Sequence, residues 1–448
     1  MKMQDIRVVY FVGIGGIGMS ALARYFLREG KTVYGYDRSE SALTRVLVEE
    51  GAHIVYEDKV SLVPAGVDLV VYTPAVATTQ AILAYFLEGG YPVMKRSEVL
   101  GLISRSSRVI AIAGTHGKTT TTSLLTWLLR ACGVDCSAFL GGISNNFASN
   151  FVAGSSDWVV VEADEYDRSF LTLSPTMAGI IAMDPDHLEI YGTPENMFSS
   201  GFLAFANQLT PGGTLWVRHD LRGHFPDRDC LTFGVGAGDY RAEEVRVQGG
   251  RFYFDFVFPE GRLRDCSMAL PGRHNIENAT LALAIASRLV PNPDQLVAAL
   301  AEFKGIKRRF ERILTGEVEY IDDYAHHPEE IRAVVGAARE LFPGKRITGV
   351  FQPHLYSRTN DLAEGFAGAL DLLDEAILLP LYPARELPIP GVSALTILDR
   401  MRLEKRVLLS KEALLERLEG AEVEVLLTIG AGDIDRLVAP IQELLNKK

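Results

Sequence analysis

A lysine followed by threonines, preceded by two glycines and set between a strand-like and a helix-like run, is an arrangement that binds phosphate. In this chain it is Ala113-Gly114-Thr115-His116-Gly117-Lys118-Thr119-Thr120, which follows the β-type run from Arg108 to Ile112 and opens an apolar helical pattern near Ser123. Glycines there let backbone N–H groups close around phosphate oxygens, Lys118 adds positive charge, and the Thr119 hydroxyl can reach a Mg²⁺ ion. The common eight-residue spacing would need a glycine where Ile112 stands, so this is a shorter variant anchored on Gly114 and Gly117. Two further strand-like runs end in chemistry-bearing residues: Trp158 to Val161 enters Glu162-Ala163-Asp164-Glu165, and Met177 to Met183 enters Asp184-Pro185-Asp186-His187. Ligands of open α/β sheets sit beyond the carboxyl ends of strands, so Lys118, Glu162 and His187 are expected to converge although they are far apart in sequence.

A second glycine loop lies near the start. The buried-strand run Arg7 to Val12 is followed by Gly13-Ile14-Gly15-Gly16-Ile17-Gly18, a helical pattern from Met19 to Arg28, and a second strand ending at Asp37. Gly13, Gly15 and Gly18 satisfy the dinucleotide fingerprint, with Asp37 near the usual place of its acidic residue. Near the other end, Val318 to Tyr324 leads into Ala325-His326-His327-Pro328, and Arg346 to Phe351 leads into Gln352-Pro353-His354-Leu355-Tyr356-Ser357-Arg358-Thr359. Adjacent histidines at a strand exit diverge, so His326 reads as a substrate or nucleotide contact rather than half of a metal pair.

These residues need a scaffold of alternating strands and helices. At 448 residues the chain exceeds what one core organises, and a prior of about 150 residues per domain predicts roughly three. The pattern predicts an α/β protein with a Rossmann-like domain over 1–103, a central phosphate-loop ATPase domain over 104–310, which includes an antiparallel region from Arg241 to Met268, and a second Rossmann-like domain over 311–448. A content of 48% hydrophobic and 23% charged residues is globular, and a net charge of −12 argues against a duplex nucleic-acid binder. The Met1-Lys2-Met3-Gln4-Asp5 start lacks a leader pattern and no apolar run is long enough to span a membrane, which predicts a cytoplasmic protein. Cys132, Cys136, Cys230 and Cys266 lack zinc or disulfide-framework spacing and read as reduced thiols.

Taken together, the motifs GIGGIGMS (13–20), AGTHGKTTTT (113–122), EADEYDRSF (162–170), DPDH (184–187), GRHNIEN (272–278), KRRF (307–310), DDYAHHP (322–328) and FQPHLYSRT (351–359) resemble those of the bacterial Mur ligases, in order and over essentially the whole chain. The resemblance implies ATP-dependent ligation of L-alanine to the lactoyl carboxylate of UDP-N-acetylmuramate through an acyl phosphate, with ATP and Mg²⁺, or Mn²⁺, as cofactors. It implies that Gly114, Thr115, Gly117, Lys118, Thr119, Thr120, Asn275, Asn278, Arg309 and Asp323 surround ATP, and that Thr119, Glu162 and His187 hold metal. Lys118, Glu162, His187 and Arg309 would serve catalysis. Gly13, Gly15, Gly16, Gly18 and Asp37 would hold the UDP part, with His326, His354 and Arg358 toward the other substrate groups. Many family members carry a basic residue where Leu355 stands. Alternatives are a family member that attaches a murein tripeptide to UDP-N-acetylmuramate, which shares the GTHGKTT, EADEYD and HHP elements, and a nicotinamide-dependent dehydrogenase, which accounts only for residues 13 to 37.

Overall fold

The structure, a computed structural model, describes residues 3–184, 188–384 and 386–446. Three sheets follow one another along the chain. The first has five parallel strands in the spatial order His53–Val55, Thr32–Tyr36, Val8–Val12, Leu69–Tyr72, Val93–Lys95. Val8–Val12 is covered on both faces, which is why it reads as a continuous apolar run. Strand order reverses between it and Leu69–Tyr72, and the loops leaving these two strands meet there: a Cβ on Gly13 would touch Thr73 and Val76.

The second sheet has ten strands. At its centre Arg108–Ala113 lies between Met177–Ile180 and Trp158–Ala163, all parallel, with Ile112 opposite Glu162 and Ala113 opposite both Ala163 and Ile180. The register brings the ends of three strands together, so residues separated by up to about seventy positions exit side by side. The hairpin Ser137–Ser144/Ser149–Val152 closes one edge, while Thr214–Arg218, Leu231–Val235, Tyr240–Gln248, Arg251–Phe258 and Gly261–Met268 extend the other. The third sheet has the order Glu311–Leu314, Glu319–Asp323, Val425–Ile429, Ile347–Phe351, Glu375–Leu378, Arg406–Leu408; only its first pair is antiparallel.

By packing, the chain forms two compact units. One comprises residues 1–245, 254–267 and 274–304; the other comprises 246–253, 268–273 and 305–448. The first sheet and the second, apart from portions of its three outermost strands Tyr240–Gln248, Arg251–Phe258 and Gly261–Met268, therefore share a unit. Their junction is apolar and polar at once: Tyr25, on the helix Ile17–Arg28, packs its ring 5.7 Å from Phe139 and 6.3 Å from Phe151. Beside it the buried Arg24 guanidinium donates to Glu50 at 2.8 Å and to the Asn150 side chain, and Asn150 donates to Ser20 Oγ at 2.9 Å. A buried charge persists only when its donors are satisfied, and here the partners come from both sheets.

Candidate active site

The helix Lys118–Ala131 begins where Gly117 takes φ 80°, a left-handed turn that glycine adopts without strain, and it turns Leu124, Leu125, Leu128 and Leu129 into the core. There is no room for side chains in the loop before it. A Cβ on Gly114 would stand 2.9 Å from the Ala182 nitrogen, and one on Gly117 would collide with Asn278 Oδ1. Thr115 anchors the loop to the neighbouring strand exit: its N–H donates to the Ala182 carbonyl at 3.1 Å, and its hydroxyl accepts from the Asp184 N–H at 3.1 Å. Asn278 donates to Asn275 Oδ1 at 3.1 Å, both being buried on the helix Arg273–Ala286. Lys118, Thr119 and Thr120 form the helix's first turn, whose amides have no intrahelical acceptor.

Lys118 Nζ lies 2.9 and 2.7 Å from the two carboxylate oxygens of Glu165 and 2.8 Å from the Gly114 carbonyl oxygen, with Asp164 Oδ1 at 3.9 Å. Burial pulls the ammonium toward neutrality, but Glu165, Asp164 and Glu162 outweigh it and hold its pKa above the ordinary lysine value. Burial likewise raises the Glu165 carboxyl, against the opposing pull of Lys118. Thr119 Oγ1 donates to Glu162 Oε1 at 2.9 Å. The other Glu162 oxygen rests against Gly141, where a Cβ could not fit. A hydroxyl and a carboxylate oxygen this close form a hard-oxygen pair that suits Mg²⁺. His187, the third expected ligand, lies outside the described residues, and among the described residues no cluster of three His, Cys, Asp or Glu side chains has metal-binding geometry.

In the first sheet, the glycine loop's donors are partly spent within the loop. Gly13 and Ile14 donate to the Tyr36 carbonyl at 2.8 and 3.0 Å, Gly16 donates to Gly13, and Gly15 donates to Asp37 Oδ2 at 2.7 Å. Asp37 thus braces the loop itself. The first turn of the following helix, Ile17 to Met19, retains its open amides, with the Arg96 guanidinium against Gly18.

The second unit holds its own cluster. Asp323 accepts the Phe310 N–H at 2.6 Å and the Ala325 N–H at 2.7 Å, while Arg308 pairs with the buried Asp322 at 3.0 Å and Arg309 lies 5.6 Å over the Tyr324 ring. His326 Nδ1 faces the Tyr324 carbonyl oxygen at 3.0 Å. The His354 ring stacks on Tyr382 at 5.8 Å, its Nδ1 is buried without a hydrogen-bond partner, and its pKa is pushed down to about 4, by burial first and then by Arg358 and His326. Leu355 takes φ 71°, rare for a branched side chain, and donates its N–H to the Tyr382 carbonyl at 3.0 Å. Where many family members carry a basic residue, this chain has Leu355, next to a His354 whose depressed pKa leaves it neutral.

Burial pushes Asp323 up to about 6, against Arg309 and its two backbone donors. A folded-state pKa above the unfolded value means that the stabilising contribution is complete below about pH 4 and is lost as pH rises through 6. The depressed His354 has the opposite sign. We therefore expect the stability of the protein relative to its Asp323→Asn variant to fall by about 3 kcal/mol between pH 4 and 7. Chemical denaturation of both proteins across that range checks it; a pH-independent difference rejects the burial account.

The chain belongs to the Mur ligase family. Residues 8–108 match the model described as the Mur ligase family catalytic domain, 112–286 the Mur ligase middle domain, and 308–432 the Mur ligase glutamate ligase domain. It is 48% identical to the UDP-N-acetylmuramate–L-alanine ligase of Parabacteroides distasonis, covering 100% of this chain and 99% of that protein, and 47% identical to the enzyme of the same name from Porphyromonas gingivalis, covering 98% of each. The crystal structure of the UDP-N-acetylmuramate–alanine ligase of Thermotoga maritima superposes with a TM-score of 0.84 at 30% identity over 99% of both chains. A murein peptide ligase from Psychrobacter arcticus shares the fold, with a TM-score of 0.71 at 21% identity over 99% of both chains.

Sequence reading singled out Lys118 and Glu162 but gave no role to Glu165, Gly141, Arg96 or Tyr382. Glu165 stood inside a quoted motif. Gly141 gave no signal, because its importance comes from a neighbour across the sheet.

Proposed function

We propose that this protein joins L-alanine to the lactoyl carboxylate of UDP-N-acetylmuramate at the expense of ATP, in the cytoplasm, with Mg²⁺ or Mn²⁺ as the metal. The observation that carries the reading is the junction of Lys118, Thr119 and Glu162 at adjacent strand ends, on a chain whose full-length relatives at 44–48% identity bear that ligase's name. Thr119 and Glu162 would hold the metal, which supplies charge neutralisation on phosphoryl oxygens. Lys118 and the first-turn amides orient the triphosphate and stabilise charge as phosphate moves to the carboxylate. The activated carboxyl is then attacked by the amine of alanine, phosphate leaves, and an amide remains. Arg358 suits a substrate carboxylate. The open amides at Ile17 to Met19, with Arg96, suit a diphosphate.

The test is ADP release by the purified protein with UDP-N-acetylmuramate plus L-alanine, glycine, L-serine or the murein tripeptide in turn. L-alanine is expected to give the highest kcat/KM. Turnover with the tripeptide alone transfers the protein to the recycling reaction, and a nicotinamide absorbance change without ADP release assigns it to redox chemistry.

A further inference from the structure

We propose that Glu165 is the built-in counter-ion of Lys118, a positioning residue that holds the ammonium in place and yields it when phosphate arrives. The proposal rests on the phosphate-loop reading above. Glu165 is 1% exposed and presents both carboxylate oxygens to one ammonium, at 2.9 and 2.7 Å. Its backbone is fixed independently of that pair. The Glu165 carbonyl accepts the Arg168 N–H at 3.1 Å and the Tyr191 hydroxyl at 2.8 Å, and the Arg168 guanidinium lies 5.2 Å over the Tyr191 ring. Asp167 and Arg168 take φ of 51° and 54°, a conformation costly for residues with side chains, so the turn is held against its own preference.

Three carboxylates, those of Glu162, Asp164 and Glu165, act on Lys118, while Thr119 already engages Glu162. A buried ammonium without a counter-ion is expensive, which explains why one is supplied. It does not explain why the carboxylate occupies the donors a phosphate would use. An anion entering the loop must take Lys118 from Glu165 and be placed near a buried negative charge. The carboxylate therefore competes with phosphate, keeping the lysine oriented between turnovers while weakening retention of the spent nucleotide.

Glu165→Gln keeps the size of the side chain and one acceptor oxygen for Lys118, and removes the charge. Binding of inorganic pyrophosphate to the full chain, measured by calorimetry in chelator so that no metal contributes, is expected to tighten on the order of tenfold in this variant, since 1.4 kcal/mol is a small part of the attraction between charges at this separation. ADP is expected to bind more tightly too, and KM for ATP to fall without a rise in kcat. Glu165→Ala should shift pyrophosphate affinity in the same direction. A folded Glu165→Gln protein with unchanged affinity makes the pair purely structural and overturns the proposal. Weaker nucleotide binding that excess Mg²⁺ restores makes Glu165 a metal ligand and overturns it as well. Failure of the wild-type protein to bind pyrophosphate or ADP under any condition rejects the phosphate-loop reading itself, and this proposal with it.

Discussion

Replacing Lys118 with alanine is expected to lower ATP-dependent ligation by roughly 10² to 10³-fold, the loss typical when one oriented charge is removed from a site of developing negative charge. It should also leave a mark on stability. Lys118 is the cation beside the buried Glu165, and its removal leaves that carboxylate unpaired, a loss of about 3–5 kcal/mol if the carboxylate stays ionised. Burial already raises the Glu165 pKa and Lys118 opposes that shift, so without the lysine the carboxyl rises further. A raised folded-state pKa stabilises below the unfolded value and loses that contribution as pH climbs. The variant should therefore melt closer to wild type at pH 5 than at pH 8. The double variant Lys118→Met/Glu165→Gln should recover stability but not activity. Near-normal ligation by a folded Lys118→Ala protein would refute the role of this loop.

The second large effect concerns the metal. Glu162→Ala removes the carboxylate bonded by Thr119, and the Mg²⁺ concentration for half-maximal activity is expected to rise by at least the 10 to 100-fold seen when supporting residues around bound metals are lost. Gly141→Ala probes the same carboxylate without touching it. A methyl group at position 141 would occupy the space of a Glu162 oxygen, so the side chain must turn away from Thr119. Both variants should move the metal titration in one direction, Gly141→Ala less than Glu162→Ala. Unchanged titrations in both, with normal melting curves, would remove Glu162 from the metal site.

The central strands were legible in the sequence because each is buried on both faces and therefore reads as an unbroken apolar run: Val8–Val12, Arg108–Ala113, Trp158–Ala163 and Val425–Ile429 all carry that signature. The short edge strands His53–Val55, Val93–Lys95 and Arg406–Leu408 did not stand out, since three half-exposed residues carry no period. The hairpin Ser137–Ser144/Ser149–Val152 was hidden by its glycines and polar turn. The strand–glycine loop–helix unit that carries Lys118 was readable because its residues are contiguous. The counter-charge on Lys118 was not, because the pairing spans forty-seven positions and depends on a strained turn that no local propensity favours. Asp37 shows a related limit: its spacing from the glycines marks it as loop-associated, but only the structure reveals that it binds the loop's own N–H.

The shared unit of the first two sheets has a thermodynamic consequence. A sugar nucleotide seated on the first glycine loop and a triphosphate seated on the second would be fixed to a single body through Tyr25, Arg24 and Asn150. Their meeting then loses no further translational or rotational freedom at the moment of reaction. With both substrates so placed, packing between the sheets would set an effective molarity for the carboxylate at the terminal phosphate, and loosening Arg24 or Asn150 would act on that quantity while leaving the chemical groups themselves untouched.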